Sequence, residues 1–352
     1  MEVTLISNEF SEESGYGIAR ASSILLNELS KKINVRKIEL KPIENRLRIP
    51  ILKKILVRNF YFTFKRDIIK GKNVHLLEPV LLPKFLNLPN KKIVTVHDLY
   101  RFDKDFMKTA GFGYKGLYRL GAKIQAQSYL KADKKIYKEI NKYDYIFARN
   151  EKLLDRLINE FNVDKNKISV SYGPIPKKFK EITGLKSKTK TIIGYINGFG
   201  QNKSIKLKKF IEEFKKLKDN DLELRIYGSK FPFNDLINND ERIKYLGFLP
   251  EEDVVETYNK FNVYLSTSTM EGFGLPIMQA KACKVPVLCY DGDLPGIVKR
   301  NTSLWDDNSL IKILENRGWE KVNIEKAYLD AEECNPENIT NKTLQVYKKV
   351  FE

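Results

Sequence analysis

The segment STSTMEGFGLPIMQAKACKVPVLCYDGDLP, residues 266–295, predicts a strand end, a glycine-containing loop, a short helix, a second strand and a further loop. Glu271 closes the first strand. Gly272 and Gly274 let the loop backbone pass close to a ligand, because they carry no side chain. Pro276 suits the first turn of a helix, since its φ is already fixed. Strand, loop and helix in this order indicate an α/β fold.

The helix predicted at 276–283 directs its first backbone N–H groups toward the preceding loop. A helix N-terminus behind a glycine-containing loop is typical of an anion site, most often for phosphate. Glu271, the two glycines and this helix end gather at the carboxyl end of a strand, where ligands bind in open α/β sheets. The segment therefore predicts a site for a phosphorylated ligand.

The residues EGFGLPIMQAKACKVPVL, 271–288, resemble the E-x7-E segment of family 4 retaining glycosyltransferases, which have the GT-B fold and whose usual form is close to EGFGLPxxEAMACGxPVV. Glu271 matches the first acid, and Gln279 stands where the second acid is usual. The resemblance extends to IVTVHDLYRF at 93–102 and ISVSYGPIPKKF at 168–179. It covers residues 143–298 well, whereas 40–90 and 300–352 show only general compatibility.

Strands alternating with helices in both halves of this 352-residue chain predict parallel, doubly wound sheets. Strands are predicted at 35–40, 74–77, 93–96, 145–149, 168–171, 191–196, 222–227, 243–247 and 263–266, and helices at 18–29, 114–141, 205–217 and 251–261. The resemblance implies a GT-B architecture, with two Rossmann-like domains facing across a cleft. We expect an acceptor-side domain at 1–180, a nucleotide-sugar-binding domain at 187–335, and a C-terminal helix, 336–352, that crosses back to the first domain.

The net charge of +18 is carried by the first half of the chain. Residues 1–180 hold 37 Lys and Arg against 19 Asp and Glu, and residues 41–72 hold ten bases against two acids, interleaved with apolar residues. This mixture suits an anionic membrane surface, but lysine-rich solvated faces would give the same pattern. A nucleic-acid groove would also look similar by charge, yet we expect no nucleic-acid partner.

The N-terminal residues predict no signal peptide, and no apolar run approaches the roughly 20 residues that span a bilayer. Three cysteines suggest no disulfide framework. We therefore expect a cytoplasmic protein that touches the membrane peripherally. Two histidines in the whole chain make a histidine-based metal site improbable.

The resemblance implies that a sugar moves from a nucleotide diphosphate sugar, the co-substrate, to a hydroxyl acceptor whose identity the sequence does not give. The reaction uses no metal and no cofactor. Three residues take catalytic roles: Glu271 contacts the donor sugar hydroxyls, His97 lies over the donor sugar, and Lys203 meets the pyrophosphate. The family arginine that assists this lysine falls on Gly198. Gln279 keeps an acceptor for the ribose hydroxyls but lacks the charge of the usual acid.

Two further sets of site residues follow from the same resemblance. The donor-binding set is Gly198, Gly228, Ser229, Phe248, Leu249, Gly272, Phe273, Gly274, Leu275 and Gln279. An N-terminal loop, Gly15, Tyr16 and Gly17, contacts phosphate or acceptor. His75 is assigned to packing. Asp291-Gly292-Asp293 fits the D-x-D pattern of metal-dependent GT-A enzymes, but it falls on a donor-side loop of family 4, so we predict no metal there.

Two alternatives remain open. A nucleotide-sugar epimerase shares the fold, although it would need additional carboxylates and histidines in the cleft. The second alternative is a non-catalytic protein that binds nucleic acid or a sugar nucleotide through a degenerate site. Gly198 and Gln279 are the residues that favour this alternative. We predict a glycosyltransferase of the hexosyl-transferring type.

Overall fold

The computed structural model describes residues 1–12, 17–39, 73–79, 90–104, 107 and 116–352. They form two compact units, one from Met1–Pro174 with Pro336–Glu352 and the other from Ile175–Asn335. The basic segment 41–72 lies outside the described residues, as do Gly15 and Tyr16. Within the described ranges, no helix is both long enough and apolar enough to cross a bilayer.

The described part of the first unit contains a parallel six-stranded sheet. Its strands are β1 Glu2–Ser7, β2 Asn34–Glu39, β3 Asn73–Leu76, β4 Lys92–Val96, β5 Tyr145–Ala148 and β6 Ile168–Val170, and its longer helices are α1 Gly17–Ser30, α2 Gly116–Tyr137, α3 Glu151–Phe161 and the C-terminal helix Pro336–Phe351. The strand order is β2-β1-β3-β4-β5-β6. All five residues of β4 are buried, as expected of a parallel strand that is covered on both faces.

The C-terminal helix is joined to this sheet through a buried polar cluster. The Tyr347 hydroxyl lies 2.6 Å from His75 Nδ1, and His75 Nε2 lies 2.8 Å from Thr95 Oγ1. Burial, with a smaller effect of the Arg149 charge, lowers the pKa of His75 to about 3. His75 is therefore a neutral part of the core, in agreement with its assignment to packing.

The second unit contains a second parallel six-stranded sheet. Its strands are β7 Thr191–Ile196, β8 Leu222–Tyr227, β9 Ile243–Gly247, β10 Val263–Ser266, β11 Val287–Tyr290 and β12 Ser303–Trp305, and its helices are α4 Gln201–Phe214, α5 Asn234–Ile237, α6 Val254–Asn259, α7 Leu275–Ala282, α8 Gly296–Lys299, α9 Leu310–Glu315 and α10 Ile324–Glu332. The order is β12-β11-β10-β7-β8-β9. The chain winds away from β7 in one direction and from β10 in the other, so the topological switch point lies between these two strands.

The predicted strands at 191–196, 222–227, 243–247 and 263–266 coincide with β7 to β10. Two helix predictions had wrong boundaries. Helix α4 begins at Gln201, not 205, because the extended backbone of Gly200 ends the preceding loop there. Helix α6 spans only Val254–Asn259, because the preceding residues form a turn in which the Asp253 N–H donates to the Pro250 carbonyl at 3.1 Å.

Candidate active site

The loop after β10 turns directly into helix α7. Gly274 has φ +80° and ψ 43°, a left-handed conformation that strains any residue with a side chain, and a Cβ there would lie 3.0 Å from Val298. The N–H groups of Ile277 and Met278 donate to the Gly274 carbonyl at 3.0 and 3.1 Å and start the helix. The predicted residues Gly272, Phe273 and Leu275 therefore belong to one loop that leads into the positive end of α7.

Glu271 and Lys203 form an ion pair at the switch point. Lys203 Nζ lies 3.1 Å from Glu271 Oε1, and the two side chains are 18% and 16% exposed. Ser268 Oγ donates to the same carboxylate oxygen at 2.7 Å, and Lys203 Nζ donates to Asn197 Oδ1 at 2.7 Å. Sequence reasoning placed the two charged residues in the site but missed Ser268 and Asn197. Their positions just after the ends of β10 and β7 could have indicated that they lie in the site.

Backbone hydrogen bonds join the loops after β7, β10 and β11 into one framework. The Thr269 N–H donates to the Asn202 carbonyl at 2.7 Å, and the Asp293 N–H donates to the Thr269 carbonyl at 2.7 Å. The Glu271 N–H donates to the Asp293 carbonyl at 3.1 Å. Glu271 and Lys203 are therefore held on a rigid surface at adjacent strand ends.

Gln279 is buried in α7, with only 4% of the residue exposed. Its Oε1 lies 3.5 Å from the Tyr258 hydroxyl, which also donates to the Pro276 carbonyl at 3.1 Å. The amide nitrogen of Gln279 is buried and has no hydrogen-bond partner among the described residues. Gln279 is thus an enclosed polar group close to the first turn of α7, not a residue of the helix surface.

Five other predicted donor-binding residues follow neighbouring strands: Gly198 after β7, Gly228 and Ser229 after β8, and Phe248 and Leu249 after β9. Gly228 has φ +151°, and a Cβ there would lie 2.3 Å from the Asn197 carbonyl oxygen, so only glycine fits. Phe248 is 72% exposed. A Cβ at Gly198 would meet no atom within 4 Å, so the first atom of a side chain would not clash at the position where the family pattern carries an arginine.

In the first unit, His97 lies at the carboxyl end of β4. Its Nε2 donates to the Leu77 carbonyl at 2.7 Å, and its Nδ1 accepts from Arg149 Nε at 3.3 Å. Burial and, next, the Arg149 charge hold the pKa of His97 well below its ordinary value of 6.5. Gly17 begins helix α1. Arg149 was missed by sequence reasoning, which included it only as the last residue of the predicted strand 145–149.

The D-x-D motif after β11 is engaged in contacts within the protein. Asp291 Oδ1 lies 2.5 Å from Lys299 Nζ, and both the N–H and the carbonyl of Asp293 bond to the loop after β10. Within the ranges that the structure describes, no group of three or more His, Cys, Asp or Glu side chains could hold a metal ion. Metal independence itself stays a prediction.

Comparison with protein families identifies one match, the model for glycosyl transferases group 1, at residues 177–303. The O-antigen chain mannosyltransferase B of Escherichia coli is 32% identical over 114 residues, which cover 30% of this chain and 30% of that protein. The matched segment thus spans less than a third of this curated relative.

Two solved structures resemble the whole chain. The sucrose-phosphate synthase of Thermosynechococcus elongatus has a TM-score of 0.71 and 16% identity, and the alignment covers 99% of each chain. The Anabaena protein HepE, solved with UDP and glucose, has a TM-score of 0.62 and 12% identity, with 99% of this chain and 100% of that chain covered. At such low identity these likenesses show the fold, which is GT-B.

Proposed function

We propose that this protein, whose residues 177–303 match the model for glycosyl transferases group 1, moves a sugar from a nucleotide diphosphate donor to a hydroxyl acceptor. The observation that carries the proposal is the Lys203–Glu271 pair at the switch point, directly before helix α7. An open α/β sheet binds its ligand at this place. The E. coli relative is a mannosyltransferase, and HepE was solved with UDP and glucose, which supports a nucleotide sugar as the donor.

We further propose that the transfer proceeds as in family 4, with retention of the anomeric configuration. The bond between the anomeric carbon and the pyrophosphate oxygen breaks, and negative charge develops on the leaving phosphate. Lys203 Nζ and the positive end of α7 stabilise that charge. Glu271 accepts hydrogen bonds from the donor sugar hydroxyls. The acceptor hydroxyl attacks from the same face of the sugar, and its proton passes to the leaving phosphate oxygen.

We propose that this chemistry needs no metal ion, and we expect activity to survive a chelator. Because Lys203 supplies the positive charge, Lys203→Met should lower kcat about 100-fold or more, within the usual effect of losing one charge-stabilising group. Asp291→Asn, which alters the D-x-D motif and its contact with Lys299, should retain most of the activity. Steady-state kinetics with and without EDTA measure both effects. Loss of activity in EDTA with rescue by Mn²⁺ would contradict this part of the proposal.

Gln279 is proposed to accept hydrogen bonds from the ribose hydroxyls of the donor. A carboxylate accepts hydrogen bonds more strongly than an amide does. The buried amide nitrogen of Gln279 has no hydrogen-bond partner among the described residues, so replacing it by oxygen breaks no hydrogen bond. We expect Gln279→Glu to tighten nucleoside diphosphate binding by about 1 kcal/mol, since hydrogen bonds to charged groups are worth more than neutral ones. Titration calorimetry measures this difference. Unchanged or weaker binding would show that Gln279 does not face the ribose.

The acceptor is proposed to be anionic or lipid-linked. The charge excess lies entirely in residues 1–180, and the basic segment 41–72 is interleaved with apolar residues. A basic, partly apolar acceptor side suits a membrane surface better than it suits a neutral sugar in solution. Flotation with anionic and neutral vesicles tests this: binding should be restricted to the anionic vesicles and should weaken with salt.

The function as a whole is tested with a panel of nucleotide diphosphate sugars. We expect at least one of them to raise the melting temperature of the protein, because a ligand of the folded state stabilises it. Incubation with that sugar should then release the nucleoside diphosphate. Conversion of the donor into its epimer would favour the epimerase instead. Binding without any turnover, over a wide range of acceptors, would favour a non-catalytic protein.

A further inference from the structure

Arg149 is a buried arginine at the carboxyl end of β5, next to β4 and His97. Only 5% of the residue is exposed. Its Nε donates to His97 Nδ1 at 3.3 Å, and one terminal nitrogen donates to the carbonyls of Ser171 and Tyr172, both at 3.0 Å. These three hydrogen bonds hold the guanidinium beside the imidazole of His97. Within the described residues, no carboxylate forms an ion pair with Arg149.

The contacts of His97 determine where its proton lies. A guanidinium has donors only, so the Nδ1 that meets Arg149 must be the unprotonated nitrogen. A backbone carbonyl has acceptors only, so the Nε2 that meets Leu77 at 2.7 Å must carry the proton. A second proton on Nδ1 would point at a cationic donor. The geometry therefore admits one neutral tautomer and opposes the charged imidazolium.

The surrounding charges act in the same direction. Arg149 and His75 both oppose a positive charge on His97, and burial opposes it further. The carboxylate of Glu78, at the end of β3, is directed to strand β1. The carboxylate of Asp98, which follows His97, accepts from the backbone of the next turn. Arg149 is a charged group in direct contact with the imidazole ring, through Nδ1.

We propose that Arg149 is a positioning residue that fixes His97 as a neutral imidazole with its proton on Nε2, so that His97 exchanges no proton with a ligand at the carboxyl end of β4. The inference rests on the proposed function, for which the family resemblance implies that His97 lies over the donor sugar. Both ring nitrogens are committed within the first unit, which leaves the ring face and its C–H edge for a ligand. Proton transfer is then left to the leaving phosphate oxygen.

Histidine nuclear magnetic resonance tests this directly, because the chain has two histidines. In the wild-type protein, labelled with ¹⁵N-histidine, we expect His97 to show the Nε2–H tautomer and no titration between about pH 5 and 8. In Arg149→Met we expect the pKa of one histidine to rise relative to the wild type, because the Arg149 charge is removed while the burial of the ring remains, and we expect Nδ1 to become able to carry the proton. His97→Asn assigns that signal. Arg156→Met, which removes a surface arginine of helix α3, is the matched control and should leave both histidines unchanged.

The pH profile of kcat/KM provides the functional readout. The wild-type profile should show no limb from His97 between about pH 5 and 8, whereas any acid limb in Arg149→Met should lie at higher pH than in the wild type and should disappear in the double variant with His97→Asn. A wild-type His97 that titrates near 6.5, or that carries its proton on Nδ1, overturns the inference, as does an Arg149→Met variant in which His97 keeps both the wild-type tautomer and the wild-type titration. Should Arg149→Met not fold, the wild-type spectra alone decide the tautomer. Absence of turnover in the wild type would contradict the proposed function and leave the spectra to decide the role of Arg149.

Discussion

Glu271→Ala is expected to lower kcat by a factor of about 100 or more, equivalent to about 2.7 kcal/mol of transition-state stabilisation. The carboxylate stands at the switch point, is held by Ser268 and Lys203, and is proposed to bind the donor sugar hydroxyls near the reacting carbon. These contacts matter most when the sugar develops charge, so the loss should appear in kcat more than in KM. Initial-rate kinetics at saturating acceptor measure it.

Two controls separate catalysis from structure. Glu251→Ala removes another paired glutamate of the same unit, the partner of Lys178, and should leave kcat unchanged. Ser268→Ala leaves the carboxylate in place but removes the hydroxyl that orients it at 2.7 Å, and a smaller loss of about tenfold is expected, within the range of one hydrogen bond to a charged group. Full activity in Glu271→Ala, with the melting temperature unchanged, would remove Glu271 from the mechanism.

The pattern of the sequence predicted the α/β sheets and the loop that carries Glu271, because both depend on local signals. Alternating apolar runs predict buried parallel strands, and the glycines and proline of residues 271–276 predict a tight entry into a helix. The structure places Lys203 beside Glu271, a pairing that was implied by the family resemblance and not by any spacing in this chain. The family pattern thus said more about which residues meet than the composition of the chain did.

The contact between His97 and Arg149 could not be predicted, because the two residues come from the ends of different strands. Arg149 meets His97 across 52 residues, and an arginine after a strand carries no sign of its contact. Helix boundaries failed for a related reason: the start of α4 depends on the backbone of Gly200, which its sequence neighbours do not determine. Lys281 shows most clearly what the sequence could not predict. The family pattern has a methionine at this position, and helical periodicity assigns a lysine to the exposed face.

Lys281 is fully buried in helix α7, where its Nζ contacts three acceptors. It donates to the carbonyls of Ile297 and Arg300 at 3.0 and 2.5 Å, and it lies 3.2 Å from Asp330 Oδ2 of helix α10. Burial, which outweighs the attraction of Asp330, lowers the pKa of Lys281. Asp330 also accepts from Asn301 at 3.0 Å. This lysine therefore ties α10 and the segment after α8 to the helix that begins at the candidate active site.

Lys281→Met is accordingly expected to destabilise the protein by about 3 kcal/mol, because it removes the fully buried partner of the Asp330 carboxylate and leaves only the half-exposed Arg300, at 3.4 Å, as its cation. For a unit of this size, that corresponds to a fall in melting temperature of roughly 6–12 °C. The double variant Lys281→Met with Asp330→Leu should recover most of the loss, since replacing a whole buried pair by apolar residues is often neutral.

Lys284→Met is the matched control: Lys284 follows in the next turn and pairs at 2.8 Å with the exposed Glu325, so little change is expected. Urea unfolding measures all three variants, and a stability of Lys281→Met equal to that of the wild type would show that the buried ion pair contributes nothing to holding α10 against α7.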